Sequence, residues 1–88
     1  MNSMGKIACV FKLMPEDDET DLEKIKEQVR EKVENVEDMG EEDVAFGLKA
    51  IKLSCITTDE KGGTDYVENQ LEEIKGLQSI ELEDFDKL

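Results

Sequence analysis

The amino-acid sequence predicts an α+β domain in which two helices cover one face of a four-stranded antiparallel sheet. Four segments carry apolar residues in short runs or at a period of two, as strands do. Two other segments carry apolar residues at the 3.6-residue period of an amphipathic helix. These segments follow one another as strand, helix, strand, strand, helix, strand. With 88 residues, the chain has room for one core, so a single domain over 1–88 is expected.

The first strand is predicted over residues 5–14. Alternate positions are apolar, so one face of the strand carries Ile7, Cys9, Phe11 and Leu13. Pro15 ends the strand because proline has no backbone N–H to donate to a neighbouring strand. The acidic residues 16–19 then form a loop.

The first helix is predicted over residues 20–35. Thr20 and Glu23 have the spacing of a capping box, in which each side chain accepts a hydrogen bond from the backbone N–H of the other residue. This spacing makes Thr20 the expected N-cap. The helix carries one apolar stripe, which consists of Leu22, Ile25, Val29 and Val33.

The middle of the chain predicts a hairpin that turns near residues 41–47. Residues 36–42 are either an irregular strand or a loop that leads into one. Residues 48–58 are a strand with Ile51, Leu53 and Cys55 on one face. Near the turn lies Phe46, a large ring with few apolar residues close to it in sequence. Two interpretations of Phe46 stay open: a core residue under the hairpin, or an exposed contact residue.

The last third of the chain predicts a turn, a helix and a strand. Two glycines in residues 59–63 supply the positive φ angles of the turn. The second helix is expected over 64–75, with Thr64 as its cap, Gly76 after its end, and Val67, Leu71 and Ile74 facing inward. The final strand is expected over 77–84, with Ile80 and Leu82 inward. This order of elements is that of the ferredoxin-like α-β sandwich.

The composition narrows the classes of partner. There are 24 acidic and 11 basic residues, which gives a net charge of −13. Phosphate recognition needs clustered cations, so nucleic acid and anionic membranes are excluded as direct partners. A basic protein surface fits this charge, although acidity that serves only solubility remains open. Cys9 and Cys55 are expected to be buried free thiols, and the absence of a signal-like or membrane-spanning segment predicts a cytoplasmic protein.

Catalytic chemistry has little support in the sequence. Histidine is absent, and two cysteines in separate strands do not provide the four ligands of a zinc site. The Lys61–Thr64 segment lacks the spacing of a phosphate-binding loop, and Glu16–Glu19 lacks the spacing of a calcium loop. We therefore expect no enzyme activity, no cofactor and no metal.

A resemblance supplies the function. The chain resembles the nucleotide-exchange domain of the translation elongation factor 1-beta family of archaea and eukaryotes, over about residues 4–88. Five motifs carry the likeness in order: Leu13-Met14-Pro15 followed by Asp21-Leu22, Ala45-Phe46-Gly47-Leu48-Lys49, Asp59 to Asp65, Ile74-Lys75-Gly76, and Asp86-Lys87-Leu88.

The resemblance implies a ferredoxin-like sandwich that promotes release of GDP from elongation factor 1-alpha. A lysine beside the C-terminus of the family enters the region of the GTPase that holds Mg²⁺ and phosphate, and Lys87 matches it, followed by Leu88. An aromatic residue of a Phe-Gly motif packs into the partner near its nucleotide switch, and Phe46 with Gly47 matches that motif. The implied state is a monomer that forms a transient complex.

Some features leave alternatives open. The length resembles that of the stand-alone archaeal form, whereas residues 17–21 and Cys55 resemble the eukaryotic sequences. The source lineage is therefore open. A ferredoxin-like regulatory or adaptor module that binds another protein, without exchange activity, is the alternative function.

Overall fold

Four strands and two helices alternate in the order βαββαβ, and a computed structural model describes them over residues 5–88. The first four residues of the predicted single domain lie outside the described residues. The elements are β1 (Lys6–Pro15), α1 (Leu22–Lys32), β2 (Val36–Asp43), β3 (Lys49–Thr58), α2 (Thr64–Leu71) and β4 (Leu77–Lys87). All neighbouring strands are antiparallel, in the sheet order β2-β3-β1-β4. The predicted fold class is confirmed.

One continuous core joins the two layers. Alternate residues of β1 are buried from Ile7 to Pro15, as the period of two predicts. The strands contribute Cys9, Phe11, Leu13, Ile51, Leu53 and Cys55, and the helical layer contributes Ile25, Val29, Val33, Val67, Leu71 and Ile74. Because both helices contact the same strand face, they lie on one side of the sheet and leave the other side open. The inward residues predicted for both helices are confirmed.

The strand β4 is longer than the sequence pattern indicates and reaches Lys87 instead of ending at residue 84. Two shifts in its register with β1 explain the difference. Each shift inserts an extra residue, so the apolar residues of β4 do not follow a period of two although they share one face. Ile80 packs on the core as predicted. Leu82 faces the same side but remains 39% exposed.

The N-cap of α1 is Asp21, so the prediction of Thr20 is wrong. The Asp21 carboxylate accepts a hydrogen bond of 3.0 Å from the Glu23 N–H. The Thr20 hydroxyl instead donates to the Asp17 carboxylate at 3.0 Å. Asp17 in the preceding loop therefore accepts a hydrogen bond from the Thr20 hydroxyl, the group that was predicted to cap the helix. The helix also ends at Lys32, three residues early, and Asn35 then adopts a left-handed φ of 57°.

The second helix begins one residue earlier than an N-cap at Thr64 requires, because Gly63 is the cap and Thr64 is the first helical residue. It ends at Leu71, and the turn that follows carries Ile74 into the core. Gly76 therefore lies in a turn before β4 instead of directly after the helix. Its φ is 101°, and its carbonyl accepts a hydrogen bond of 2.9 Å from the Glu16 N–H.

Neither α1 nor α2 is long and apolar enough to span a bilayer. Over residues 5–88, no cluster of three or more metal-ligating side chains occurs.

Replacement of Asp21 tests the corrected N-cap. We expect Asp21→Ala to lower the free energy of unfolding by about 1 kcal/mol, because the Glu23 N–H loses its acceptor. Asp21→Asn keeps an acceptor oxygen and is expected to lose only a few tenths of a kcal/mol. Urea unfolding followed by circular dichroism measures both. Equal losses in the two variants would contradict this account of the helix start.

Candidate functional site

Phe46 lies at the tip of the hairpin between β2 and β3, in a short 3-10 turn over Ala45–Gly47. Its side chain is 95% exposed, so the interpretation as a core residue is wrong. The turn is closed by a hydrogen bond of 2.9 Å from the Val44 N–H to the Leu48 carbonyl. The turn therefore lies slightly later in the chain than the predicted turn near residues 41–47, because strand β2 continues to Asp43.

The backbone at Phe46 is strained. Its φ of 61° and ψ of 34° lie in the left-handed region, which costs an ordinary residue roughly 1–2 kcal/mol. Gly47 follows with a φ of 76°, a conformation that glycine adopts without this cost. An exposed aromatic ring in a strained turn adds nothing to the core. The geometry therefore favours a contact role for Phe46.

Gly47 also lines a cleft of about 200 Å³ beside the turn. Pro15 and Leu22 contribute apolar side chains to its lining, and Asp17 and Asp18 of the acidic loop also line it. The hairpin tip and the 16–19 loop thus lie at the same end of the sheet. No sequence pattern indicates this cleft, because its residues come from segments about thirty positions apart.

Lys87 is the last residue of β4 and pairs with Ile7 of β1. The Leu88 N–H donates a hydrogen bond of 2.9 Å to the Lys6 carbonyl, so the ladder continues through the terminal residue. Lys87 is therefore held in the sheet up to the end of the chain that the structure describes. The side chain of Leu88 is 67% exposed.

The carboxylates next to Lys87 point away from it. Asp86 pairs with Ala8 and Asp84 pairs with Val10, which puts both on the open face of the sheet. Lys87 pairs with Ile7 and faces the helical side. Among the described residues, no ion pair joins Lys87 to a carboxylate. Its ammonium is therefore available to an anion outside the chain.

Other lysines are held by the protein's own acids. Lys26 donates to Glu41 at 2.8 Å, and this contact lowers the pKa of the Glu41 carboxyl and raises that of Lys26. Lys61 is hydrogen-bonded to Glu34, which raises the pKa of Lys61. The Lys61–Thr64 segment is thus a turn followed by a helix, as expected, and its lysine already has an internal partner.

Phe46 and Lys87 lie at opposite ends of the sheet. Phe46 lies just before β3, which begins at Lys49. At the other end of the sheet, Ile7 of β1 pairs with Lys87 of β4 on one side and with Thr57 of β3 on the other. Thr57 is eight residues beyond Lys49, which corresponds to about 26 Å at about 3.3 Å per residue. The structure therefore does not bring the two predicted contact residues into one pocket.

The two cysteines face each other across β1 and β3. Cys9 pairs with Cys55, both are buried and free, and their sulfurs are 3.3 Å apart. The prediction of buried free thiols is confirmed. The hydrogen bond with Cys9 and burial raise the pKa of the Cys55 thiol, which favours its neutral form. Both side chains belong to the core that supports the site.

Replacement of Phe46 by glycine tests the strain in the turn. We expect Phe46→Gly to raise the free energy of unfolding by about 0.5–1 kcal/mol, because the left-handed backbone is relieved and no packing is lost. Phe11→Ala is the matched control in the core and is expected to lose about 3–5 kcal/mol. Thermal unfolding of both variants gives the comparison. A loss above about 1 kcal/mol for Phe46→Gly would show that the ring packs on the domain.

Comparison with known proteins identifies the family of the chain. The profile described as "EF-1 guanine nucleotide exchange domain" matches residues 8–88. The protein named elongation factor 1-beta in Methanocorpusculum labreanum is 40% identical over 85 residues, which cover 97% of this chain and 99% of that protein. Proteins of the same name from Methanosphaerula palustris and Methanoculleus marisnigri are 40% and 42% identical over 79 residues, 90% of this chain and 93% of each relative. The chain belongs to the elongation factor 1-beta family of EF-1 guanine nucleotide exchange domains.

Proposed function

We propose that this protein promotes the release of GDP from translation elongation factor 1-alpha, so that GTP replaces it. Membership of the exchange-domain family supports this function, and so do the names of the relatives. The observation in the chain that carries the proposal is Lys87. The β1–β4 ladder holds this lysine in place, and its ammonium has no internal ion pair among the described residues.

Lys87 acts by electrostatics in this proposal. Its ammonium enters the region of the GTPase that holds Mg²⁺ and the phosphates of GDP, and competes with the metal for that negative charge. Once the metal contributes less to neutralising the phosphates, GDP is held more weakly. Each 1.4 kcal/mol of lost binding free energy corresponds to about a tenfold weaker affinity. No covalent bond changes, so the protein is a binding factor and not an enzyme in the strict sense.

Phe46 provides a second contact in the proposal. Because it lies about 26 Å or more along the sheet from Lys87, it meets a different part of the same GTPase. An exposed aromatic ring gains free energy when a partner covers it. The gain promotes exchange only where the contact is better in the nucleotide-free GTPase, since a ligand shifts an equilibrium only through unequal affinity for its two states.

The charge of the chain fits such a partner. With a net charge of −13, the protein is drawn at long range towards a basic protein surface, which speeds encounter. We further propose that residues 1–88 act as one exchange domain, as a monomer in transient contact with the GTPase in the cytoplasm.

Release of a fluorescent GDP analogue from elongation factor 1-alpha, followed by stopped-flow fluorescence, tests the function. We expect the wild-type protein to accelerate release strongly. Lys87→Ala is expected to lower the maximal rate at least tenfold, because the competing cation is lost. Lys24→Ala removes an exposed lysine from α1 and is the control of equal charge. It is expected to stay within twofold of the wild type.

The outcomes separate the function from its mechanism. Acceleration that survives Lys87→Ala would keep the exchange function but shift its cause to Phe46 and the hairpin. If the wild type does not accelerate release from a cognate GTPase, the exchange function is wrong. A regulatory or adaptor module would then be the remaining function.

A further inference from the structure

Exposed apolar side chains are concentrated on β4. Among the described residues, four large apolar side chains are exposed, and three of them belong to the last seven residues: Leu82, Phe85 and Leu88. Phe46, the fourth, lies at the other end of the sheet. Single exposed apolar residues are ordinary on a protein surface, but a group on one strand marks a contact surface.

The register of β4 puts two of these residues in line with Lys87. In a regular strand, a spacing of three would direct Leu82 and Phe85 to opposite faces. Here the ladder shifts by one residue, so Leu82 pairs with Phe11, and Phe85 pairs with Cys9. Paired residues point to the same face, so Leu82, Phe85 and Lys87 all lie on the helical side of β4.

The helical layer covers only the first part of β4. Leu77 and Ile80 pack against the core, whereas Leu82 and Phe85 do not belong to it. Phe85 is 54% exposed, and residues 82–85 line a groove of about 270 Å³. Since β4 is an edge strand, the backbone on its outer side has no neighbouring strand in the sheet.

We propose that Leu82 and Phe85 form, with Lys87, a single docking row that binds an apolar patch with a basic rim on the GTPase. This inference rests on the proposed function. Phe85 is two residues, or about 7 Å, from Lys87 on the same strand face, so the row is continuous with the contact made by the lysine. The net charge of −13 on the chain matches a basic rim.

A second copy of this chain is a poorer occupant. Two copies paired through β4 would bring together two chains of net charge −13, each with acids along this strand. Charges on an edge strand oppose such self-pairing. The same net charge attracts a basic surface. Charge complementarity therefore selects the GTPase over the homodimer.

Leu82 and Phe85 add binding free energy beside Lys87 and do not themselves act on the phosphates. Burial of Phe85 against the GTPase stabilises the complex, while the β1–β4 ladder holds the lysine two residues later in place. Loss of the ring weakens the complex but leaves the cation in place. The half-saturating concentration of the exchange factor should therefore change more than the maximal exchange rate.

The test is the release of the same GDP analogue, measured as a function of the concentration of the exchange factor. We expect Phe85→Ala to raise the half-saturating concentration about tenfold and to leave the maximal rate within twofold. Phe85→Leu keeps an apolar side chain and is expected to recover most of the affinity. Ile56→Ala truncates an apolar residue on the open face of the sheet and is expected to have no effect on exchange.

Each result has a separate meaning. An unchanged half-saturating concentration for Phe85→Ala, with a wild type that accelerates release, would overturn the docking row and leave the proposed function intact. No acceleration by the wild type would overturn the proposed function itself, and the row with it. A wild type that sediments as a dimer and becomes a monomer with Phe85→Ala would assign the surface to a second copy and also overturn the inference.

Discussion

β1 is hydrogen-bonded on both sides, to β3 and to β4, and one of its faces is buried from Ile7 to Pro15. A one-residue slip of this strand would turn Phe11 and Leu13 towards solvent, so burial fixes its register. That register then fixes both ends of the molecule. At the start of β1 it holds Lys87 against Ile7, and near its end lie the hairpin and the acidic loop. The positions of both candidate contacts therefore follow from the packing of one strand.

A domain of this size has a small free energy of unfolding, and its contact residues lie where they require little of the core. The contact residues lie on strand ends and turns, where they need no cavity in a thin core. Lys87 and Phe85 are held by the β1–β4 ladder, which costs no additional packing. Phe46 does carry a local cost, since its left-handed backbone is strained while its ring touches little of the domain. Strain of this kind is found where function and stability conflict.

The described lysines fall into two groups, those that make an internal ion pair and those that do not. Lys26, Lys52 and Lys61 make internal ion pairs with acids of neighbouring elements. These exposed pairs each contribute little to stability, but they reduce the number of free cations on the surface. Lys87 makes no ion pair among the described residues, and the acids beside it in sequence face the other side. A free cation on an otherwise acidic protein is suited to a negatively charged target such as bound nucleotide.

Much of the fold could be predicted from periodicity. The alternation in β1 and β3 and the stripes of α1 and α2 identified the buried residues correctly, because these patterns depend only on the geometry of regular elements. The N-cap could not be predicted, since Thr20 and Asp21 are both good caps and the choice depends on a contact with Asp17. The length of β4 was underestimated because its two register shifts conceal the period of two.

The candidate site was predicted only in part. Lys87 and Phe46 came from resemblance, and their exposure is a property of the fold that single residues do not reveal. The sequence pattern placed Leu82 on the inward face of the last strand, and it indicated no role for Phe85. Leu82 shares a face with Phe85 and Lys87 only because a bulge inserts one residue between Leu82 and Phe85. A long-range pairing decides this arrangement, and no local sequence pattern encodes it.

The central claim is that the protein binds elongation factor 1-alpha better without nucleotide than with GDP. Isothermal titration of the GTPase in both forms measures this difference directly. By thermodynamic linkage, the protein must prefer the nucleotide-free form by the same factor by which it weakens the affinity for GDP. We expect a preference of at least about a hundredfold, or about 2.7 kcal/mol. Equal affinity for the two forms would contradict it, because a partner that does not distinguish two states cannot shift their balance.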